Sequence, residues 1–263
     1  MPTHTDQLNR KVTVTEYPKR IISLVPSQTE LLVDLGLRDE LVGITKFCIH
    51  PKGLKKEKQI IGGTKNFHFD KIDALQPDLI IGNKEENYQE GIEKLAEKYP
   101  VWMSDIFTIE DAVEMIENIG ELTNKVAESK NISNQIKIDF KNPFSKKGTA
   151  IYLIWNDPIM TVGSNTFINE MLAFAGFENL VQEKRYPKID LEVLKNLNPE
   201  FLLLSSEPFP YKEKHVAFYQ KELPNTQVKI VDGELFSWYG STLLKSKDYF
   251  LSLNQKFLKN EAS

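Results

Sequence analysis

The feature that most constrains this fold is a unit that occurs twice in the chain. RIISLVPSQTELLVDLGLRDELVG, residues 20–43, returns in looser form as MTVGSNTFINEMLAFAGFENLV, residues 160–181. In each copy a short apolar run meets a breaker, Pro26 or Gly163. A Ser and a Thr two apart follow (Ser27 and Thr29, Ser164 and Thr166), then an apolar helical stripe, then Gly36 or Gly176 just past the last strong periodic position. Hydroxyls after a breaker can accept from the free amides of a first helical turn, and glycine suits the left-handed residue that ends a helix. Each copy therefore reads as strand, loop, helix. The match continues downstream, where FDKIDALQPDLIIG and IDLEVLKNLNPEFLLLS each place a short helix before a proline (Pro77, Pro199) and a buried strand after it. An acid, Asp70 or Glu192, stands seven residues ahead of each proline. Only two copies, longer than solenoid repeats, describe paired lobes.

From Ile21 onward strands alternate with helices and the strands are apolar throughout, the pattern of a parallel sheet covered on both faces. The expected fold class is α/β: two parallel-sheet α/β lobes joined by one long backbone α-helix. The lobes are expected over 1–107 and 143–263, with strands at 21–25, 41–44, 79–81 and 101–103 in the first and at 149–154, 201–204 and 227–231 in the second. Residues 1–19 read as a polar lead-in with one strand at 11–16. Residues 109–140 contain no proline, and Ala112, Val113, Ile116, Ile119, Leu122, Val126, Ile132 and Ile136 fall near helical spacing. An unbroken helix of about 30 residues would span about 45 Å, so 108–142 is read as the connector. Gly120 and the polar run 128–131 oppose continuity, and the alternative is a helical pair inside one domain.

A chain of 263 residues removes roughly three-quarters of its unfolded surface from water, enough for a substantial core. Its net charge of −4, with lysines dispersed among glutamates, argues against a nucleic-acid surface. The densest basic run, KGLKKEK at 52–58, is short and without aromatics, and reads as a solvated loop. The single cysteine, Cys48, excludes an internal disulfide and a multi-cysteine metal site. His4, His50, His68 and His215 are scattered, with no pair at metal-ligand spacing on one helix. No apolar run reaches the roughly 18 residues of a membrane span. MPTHTDQLNRKVTV has no apolar core or cleavage site, so the chain as given holds no secretory signal; either the protein stays inside the cell or a signal was removed. GxGxxG, GxxxxGK, GxSxG, HExxH and CxxC are all missing. Ser27 and Ser164 are accounted for by capping without a base, and no enzyme is expected.

Ligands of open α/β sheets sit beyond the carboxyl ends of the strands. Those positions carry Phe47, Cys48 and His50; Phe67 after Gly62-Gly63; Asn83; Trp155; Phe209 and Tyr211; and Phe236, Trp238 and Tyr239. Tyr186-Pro187 precedes the helix expected at 191–197. Each ring taken alone could plug a core. Taken together, they suit a flat, partly apolar ligand between two lobes, since aromatic faces give large contact area with few rotors to freeze. Asp70 and Glu192 each favour a helix N-terminus electrostatically, typically by about 0.3–1 kcal/mol. Alternatively, two equivalent acids face a partner whose positive groups are similarly paired.

These stretches together resemble the helical-backbone periplasmic binding proteins, the substrate-binding components of ABC importers for vitamin B12, ferric siderophores and haem. The similarity runs from about Arg20 to Leu258, and the family fold has two α/β lobes on one long helix. Tyr186-Pro187 is similar to an aromatic-Pro step of the cobalamin-binding branch, and Trp155 and Trp238 fall in loops that line its cleft. The resemblance implies capture of a metal-containing chelate, foremost cobalamin or a related corrinoid, with Phe47, His50, Phe67, Asn83, Trp155, Tyr186, Phe236 and Trp238 as ligand contacts. Asp70 and Glu192 fall where the family carries acids that bind arginines of the two transmembrane subunits; Asp70 is the shorter acid. Asn83 stands where the cobalamin proteins can carry Trp, and His50 where they can carry Tyr before Pro. Both changes make the cleft more polar and leave a siderophore, haem or other chelate open. The resemblance further implies a monomer, no cofactor of its own beyond a cobalt- or iron-containing solute, and a periplasmic or cell-surface location. The missing signal keeps open a cytosolic chelate-handling protein or enzyme.

Overall fold

The computed structural model describes residues 1–260, with side chains described as far as Leu253. The chain divides into two compact units. The first comprises 1–106, 110–138 and 239–244; the second comprises 107–109, 139–238 and the chain from Lys245.

In the first unit β1 (Thr3–Thr5) and β2 (Lys11–Thr13) form an antiparallel hairpin. Then follow β3 (Ile21–Ser23), α1 (Pro26–Asp34), β4 (Leu41–Ile44), α2 (Leu54–Glu57), β5 (Gln59–Ile60), the small hairpin β6 (Gly62–Gly63) and β7 (Asn66–Phe67), α3 (Phe69–Leu75), β8 (Leu79–Asn83), α4 (Gln89–Ala96) and β9 (Val101–Ser104). The sheet runs β5-β4-β3-β8-β9, every pair parallel. Its strands carry fully buried Ile21, Ile22, Leu41, Leu79, Ile80 and Trp102. Burying each Ile or Leu side chain stabilises by roughly 1.5–3 kcal/mol, which is why these strands read as unbroken apolar runs.

The segment at 109–140 is not one rod. It forms α5 (Ile109–Leu122) and α6 (Val126–Asp139), fourteen residues each, separated at Asn124, whose φ is +56°. The two helices lie against each other. Ser133 Oγ and Lys137 Nζ both reach Glu117 Oε1, at 2.8 and 2.7 Å. Gly120 makes the approach possible, because a Cβ there would sit 2.0 Å from Ser129 Oγ. The glycine that opposed continuity is thus a packing site for the return helix.

The second unit contains β10 (Gly148–Asn156), β11 (Ile159–Thr161), α7 (Phe167–Phe174), β12 (Phe177–Asn179), α8 (Leu191–Leu197), β13 (Phe201–Ser205), α9 (Glu213–Glu222), β14 (Gln227–Val231), α10 (Glu234–Ser237) and most of α11 (Leu243–Asn260). Its order is β11-β10-β13-β14, with β12 parallel to the start of β10. The strand that opens the second copy of the repeat, β11, is antiparallel to β10. Asp157-Pro158 turns the chain back there, and a proline cannot donate to a continuing ladder. Its counterpart β3 is an interior parallel strand.

Helix ends show how far the duplication reaches. Thr166 caps α7, its side chain accepting from the Asn169 amide at 3.2 Å, as expected. Ser27 and Thr29 do not cap α1, whose N-cap is Val25. Pro26 occupies the first turn instead, lacking an amide that would need a partner, and Thr29 Oγ1 turns inward, 2.9 Å from the Val25 carbonyl. Gly36 and Gly176 adopt φ of +78° and +92° just past α1 and α7, the left-handed ends read from sequence. Helices α3 and α8 match most closely: seven residues each, ending in left-handed Gln76 (φ +43°) and Asn198 (φ +44°) ahead of the two prolines.

Candidate functional site

At the carboxyl edge of the first sheet, most side chains face inward and are hydrogen-bonded. Gln28 Nε2 donates to Ser104 Oγ at 2.8 Å, and Asn83 Nδ2 donates to the same oxygen at 3.0 Å. Asn83 Oδ1 accepts from the Glu85 and Glu86 amides at 2.8 and 3.1 Å, while the Asn83 amide donates to Asn87 Oδ1 at 2.9 Å. Burying polar groups is tolerated when each finds partners. Asn83 is therefore a brace for the loop after β8, 2% exposed, and offers a ligand no surface, contrary to the sequence expectation. Phe67 is corrected in the same way: 5% exposed, it lies 5.5 Å from Phe69 and 4.9 Å from Tyr88 between ring centroids. Phe47 is half exposed at 50%, with Lys46 Nζ 5.0 Å from its ring centroid, and His50 is half-buried nearby in the same loop. Cys48, between them, is fully buried, its Sγ 3.1 Å from Thr29 Oγ1 and 3.3 Å from Thr45 Oγ1. Burial pushes its thiol above the ordinary range against the opposing pull of those hydroxyls. Burial, followed by the charge of Glu85, likewise raises the Glu86 carboxyl.

The edge of the second sheet is finished with rings. Trp155 is 40% exposed, and its Nε1 donates to the Asp157 carbonyl at 3.0 Å. Half-buried Tyr186 has the Arg185 guanidinium carbon 5.8 Å from its ring centroid, and Thr161 donates to the Pro187 carbonyl at 3.1 Å, tying that loop to β11. Trp238 is corrected as well: 7% exposed, it donates from Nε1 to Glu207 Oε1 at 2.9 Å and presents little surface to a ligand. Phe236 is a further correction: 0% exposed, it lies in the interior 5.3 Å from Tyr152 and 4.8 Å from Phe250. Its short helix α10 turns it inward, a direction that loop position alone does not fix.

Phe209 and His215 lie outside the expected set of ligand contacts. The sequence signal for His215 is Lys212-x-x-His215, in which the third residue of α9 reaches back to the N-cap amide, as a Glu or Gln does in the usual capping box. Burial pushes the hydroxyl of Tyr219, beneath this group, up to about 12 and that of Tyr211 higher still.

Asp70 and Glu192 occupy the same place in α3 and α8, and both are exposed. Glu192 lies 3.7 Å from Lys195, which is held more closely by Glu222 at 2.8 Å; Asp70 has no such companion among the described residues. No described group of three or more His, Cys, Asp or Glu side chains is placed to hold a metal ion. No described helix is long and apolar enough to cross a membrane. A groove of about 550 Å³ in the first unit is lined by polar residues including His4, Asp6, Asp105 and Glu114, and contains none of the expected ligand contacts.

The family model described as "Periplasmic binding protein" matches residues 21–221. An uncharacterized ABC transporter substrate-binding lipoprotein, YvrC of Bacillus subtilis (strain 168), is 28% identical over 212 residues, covering 75% of this chain and 67% of that protein. The vitamin B12-binding protein of Vibrio campbellii is 27% identical over 195 residues, covering 71% and 70%. Among solved structures, the periplasmic haem-binding protein RhuT of Roseiflexus sp. RS-1 has a TM-score of 0.74 at 19% identity, covering 88% of this chain and 97% of that one. The chain belongs to the periplasmic binding protein family.

Proposed function

We propose that this periplasmic binding protein captures a metal-containing chelate, foremost cobalamin or a related corrinoid, and delivers it to the transmembrane subunits of an ABC importer. The observation that carries the reading is the 40% exposed indole of Trp155 at the carboxyl edge of a parallel sheet, where ligands of such sheets sit. Half-exposed Phe47 and half-buried Tyr186 and His50 supply further contact surface. Relatives named for vitamin B12 binding support the corrinoid. A haem or ferric-siderophore solute is the second reading, favoured by the fold shared with a haem-binding protein and by the polar His50. The family is one of substrate-binding transport proteins, and it does not favour a cytosolic enzyme. The protein would act in the periplasm or, anchored like the lipoprotein relative, at the cell surface.

Calorimetric titration with cyanocobalamin, haem and ferric siderophores tests the reading, and binding of one of them is expected. Failure to bind any would overturn it. Docking is tested separately with D70A/E192A. Exposed carboxylates contribute only about 0–1 kcal/mol to folding, so melting and ligand affinity should stay as in the wild type while transport by the reconstituted importer falls. Undiminished uptake would remove the docking role.

A further inference from the structure

In the second unit an available hydrogen-bond donor stands beside exposed aromatic surface. Phe209 is the hub of the group. Its ring centroid lies 5.6 Å from Trp155, 4.8 Å from Tyr211 and 5.3 Å from His215, each contact edge to face. Trp155 belongs to the end of β10 and Phe209 to the loop leaving β13, its parallel neighbour. His215 comes from the first turn of α9. Beneath them Tyr211 is buried, and Tyr219 donates to Asn156 Oδ1 at 3.0 Å, which fixes the base of the group. The indole nitrogen is already engaged with Asp157, leaving the apolar face of Trp155 as its free surface.

The hydrogen bond at the helix start decides the chemistry of His215. The Lys212 backbone amide donates to His215 Nδ1 at 2.9 Å. A ring nitrogen that accepts keeps its lone pair, so the hydrogen of the neutral imidazole sits on Nε2. In that tautomer Nε2 has no lone pair to offer a metal, and among the described residues no acceptor meets it.

We propose that Trp155, Phe209 and His215 form a recognition surface for a flat conjugated macrocycle, with the indole face stacked against it, the Phe209 ring, inclined at 66° to the indole, meeting it by an edge, and His215 Nε2–H donating to a carbonyl or carboxylate oxygen on its periphery. His215 reads the rim of the ligand and does not ligate its metal. The proposal rests on the chelate-binding reading and narrows it to macrocycles that carry peripheral amide or carboxylate oxygens.

The test uses the full chain titrated with cyanocobalamin, whose rim oxygens belong to amides, and with haem and metal-free protoporphyrin, whose rim oxygens belong to carboxylates. H215Q preserves both features, since glutamine at this position accepts from the N-cap amide and still carries a donor; affinity within about threefold of wild type is expected. H215E preserves the cap but presents only acceptors. Its melting temperature should hold while affinity falls at least about tenfold, the order of effect of one lost buried hydrogen bond. F209A should also lose about tenfold or more. Which of the ring types responds identifies the source of the oxygens, and metal-free protoporphyrin should respond like haem. The visible spectrum of bound ligand should be the same for wild type and H215Q. A spectral shift in H215Q, or a loss as large as that of H215E, would make His215 a metal ligand and overturn the proposal. Wild-type binding indifferent to all three variants removes this proposal alone, whereas a wild-type chain that binds no chelate removes the chelate reading along with it.

Discussion

The two units finish the same sheet edge in opposite ways. In the first, Gln28, Asn83, Asn87 and Ser104 close the strand ends with side-chain hydrogen bonds, and Phe47 and His50 stand on a loop outside that network. In the second, Trp155, Phe209 and His215 meet ring to ring, and buried Tyr219, donating to half-buried Asn156, lies beneath the aromatics. Helices α3 and α8 nonetheless agree residue for residue in length and in their left-handed ends. A duplicated plan thus holds the supporting helices constant, together with the exposed acid on each, while the loops beyond the strands are free to specialise. The sealed edge is suited to rigidity and the aromatic edge to contact.

That contrast breaks most visibly if interior and surface rings have been confused. Phe236→Ala removes a fully buried ring from between Tyr152 and Phe250 and should cost about 3–5 kcal/mol, measured by urea denaturation, with ligand affinity retained wherever the variant is folded. A loss under about 1 kcal/mol accompanied by weak binding would return Phe236 to the ligand surface. Asn83→Ala comes next. It strips partners from the Glu85 and Glu86 amides and should cost about 1–3 kcal/mol without changing affinity; the reverse pattern would mean that the first edge is a contact surface after all.

Local signals are legible in the chain and tertiary ones are not. The strands expected at 21–25, 79–81 and 201–204 are found at 21–23, 79–83 and 201–205, and the paired short helices are found as expected, because apolar runs, breakers and helix ends are local signals. The turn inside 109–140 is half legible: Gly120 opposes continuity, but nothing local says that Ser129 will pack onto it. The direction of a loop aromatic was not legible. Trp155 lies at the end of β10 and Phe236 follows β14, both at the carboxyl edge of one sheet, yet the tertiary path of α10 buries Phe236 while Trp155 stays 40% exposed. The place of His215 is not legible, because it depends on a tautomer fixed by a backbone amide three residues away, a contact that exists only once α9 has formed.

Smaller effects separate the exposed rings. Trp155→Ala and Phe47→Ala should each leave stability within about 0.5 kcal/mol, as surface changes commonly do. On the proposed reading Trp155→Ala weakens chelate binding more than Phe47→Ala, because the indole is backed by a ring cluster while Phe47 stands on a loop beside Lys46. Equal losses in a titration would show that both edges contribute alike, and the contrast drawn above would then concern packing and not recognition.

The finest test concerns the seal itself. Cys48 belongs to the loop that carries Phe47 but is itself fully buried, and its thiol is raised by burial. The folded chain therefore keeps this proton at a pH where the unfolded chain, with an ordinary thiol near about 8.5, has begun to lose it. The resulting stability is fully present below the unfolded value and is lost as pH rises toward and through the folded one. Wild type and Cys48→Ala should thus differ by a constant amount up to about pH 8. Above that, wild type should lose ground by at most about 1.4 kcal/mol per pH unit. A thiol-reactive dye should label the native chain only on the timescale of unfolding. Labelling within seconds at pH 8, with no divergence between the two stability profiles, would show that water reaches Cys48 freely and that the edge of the first unit is open.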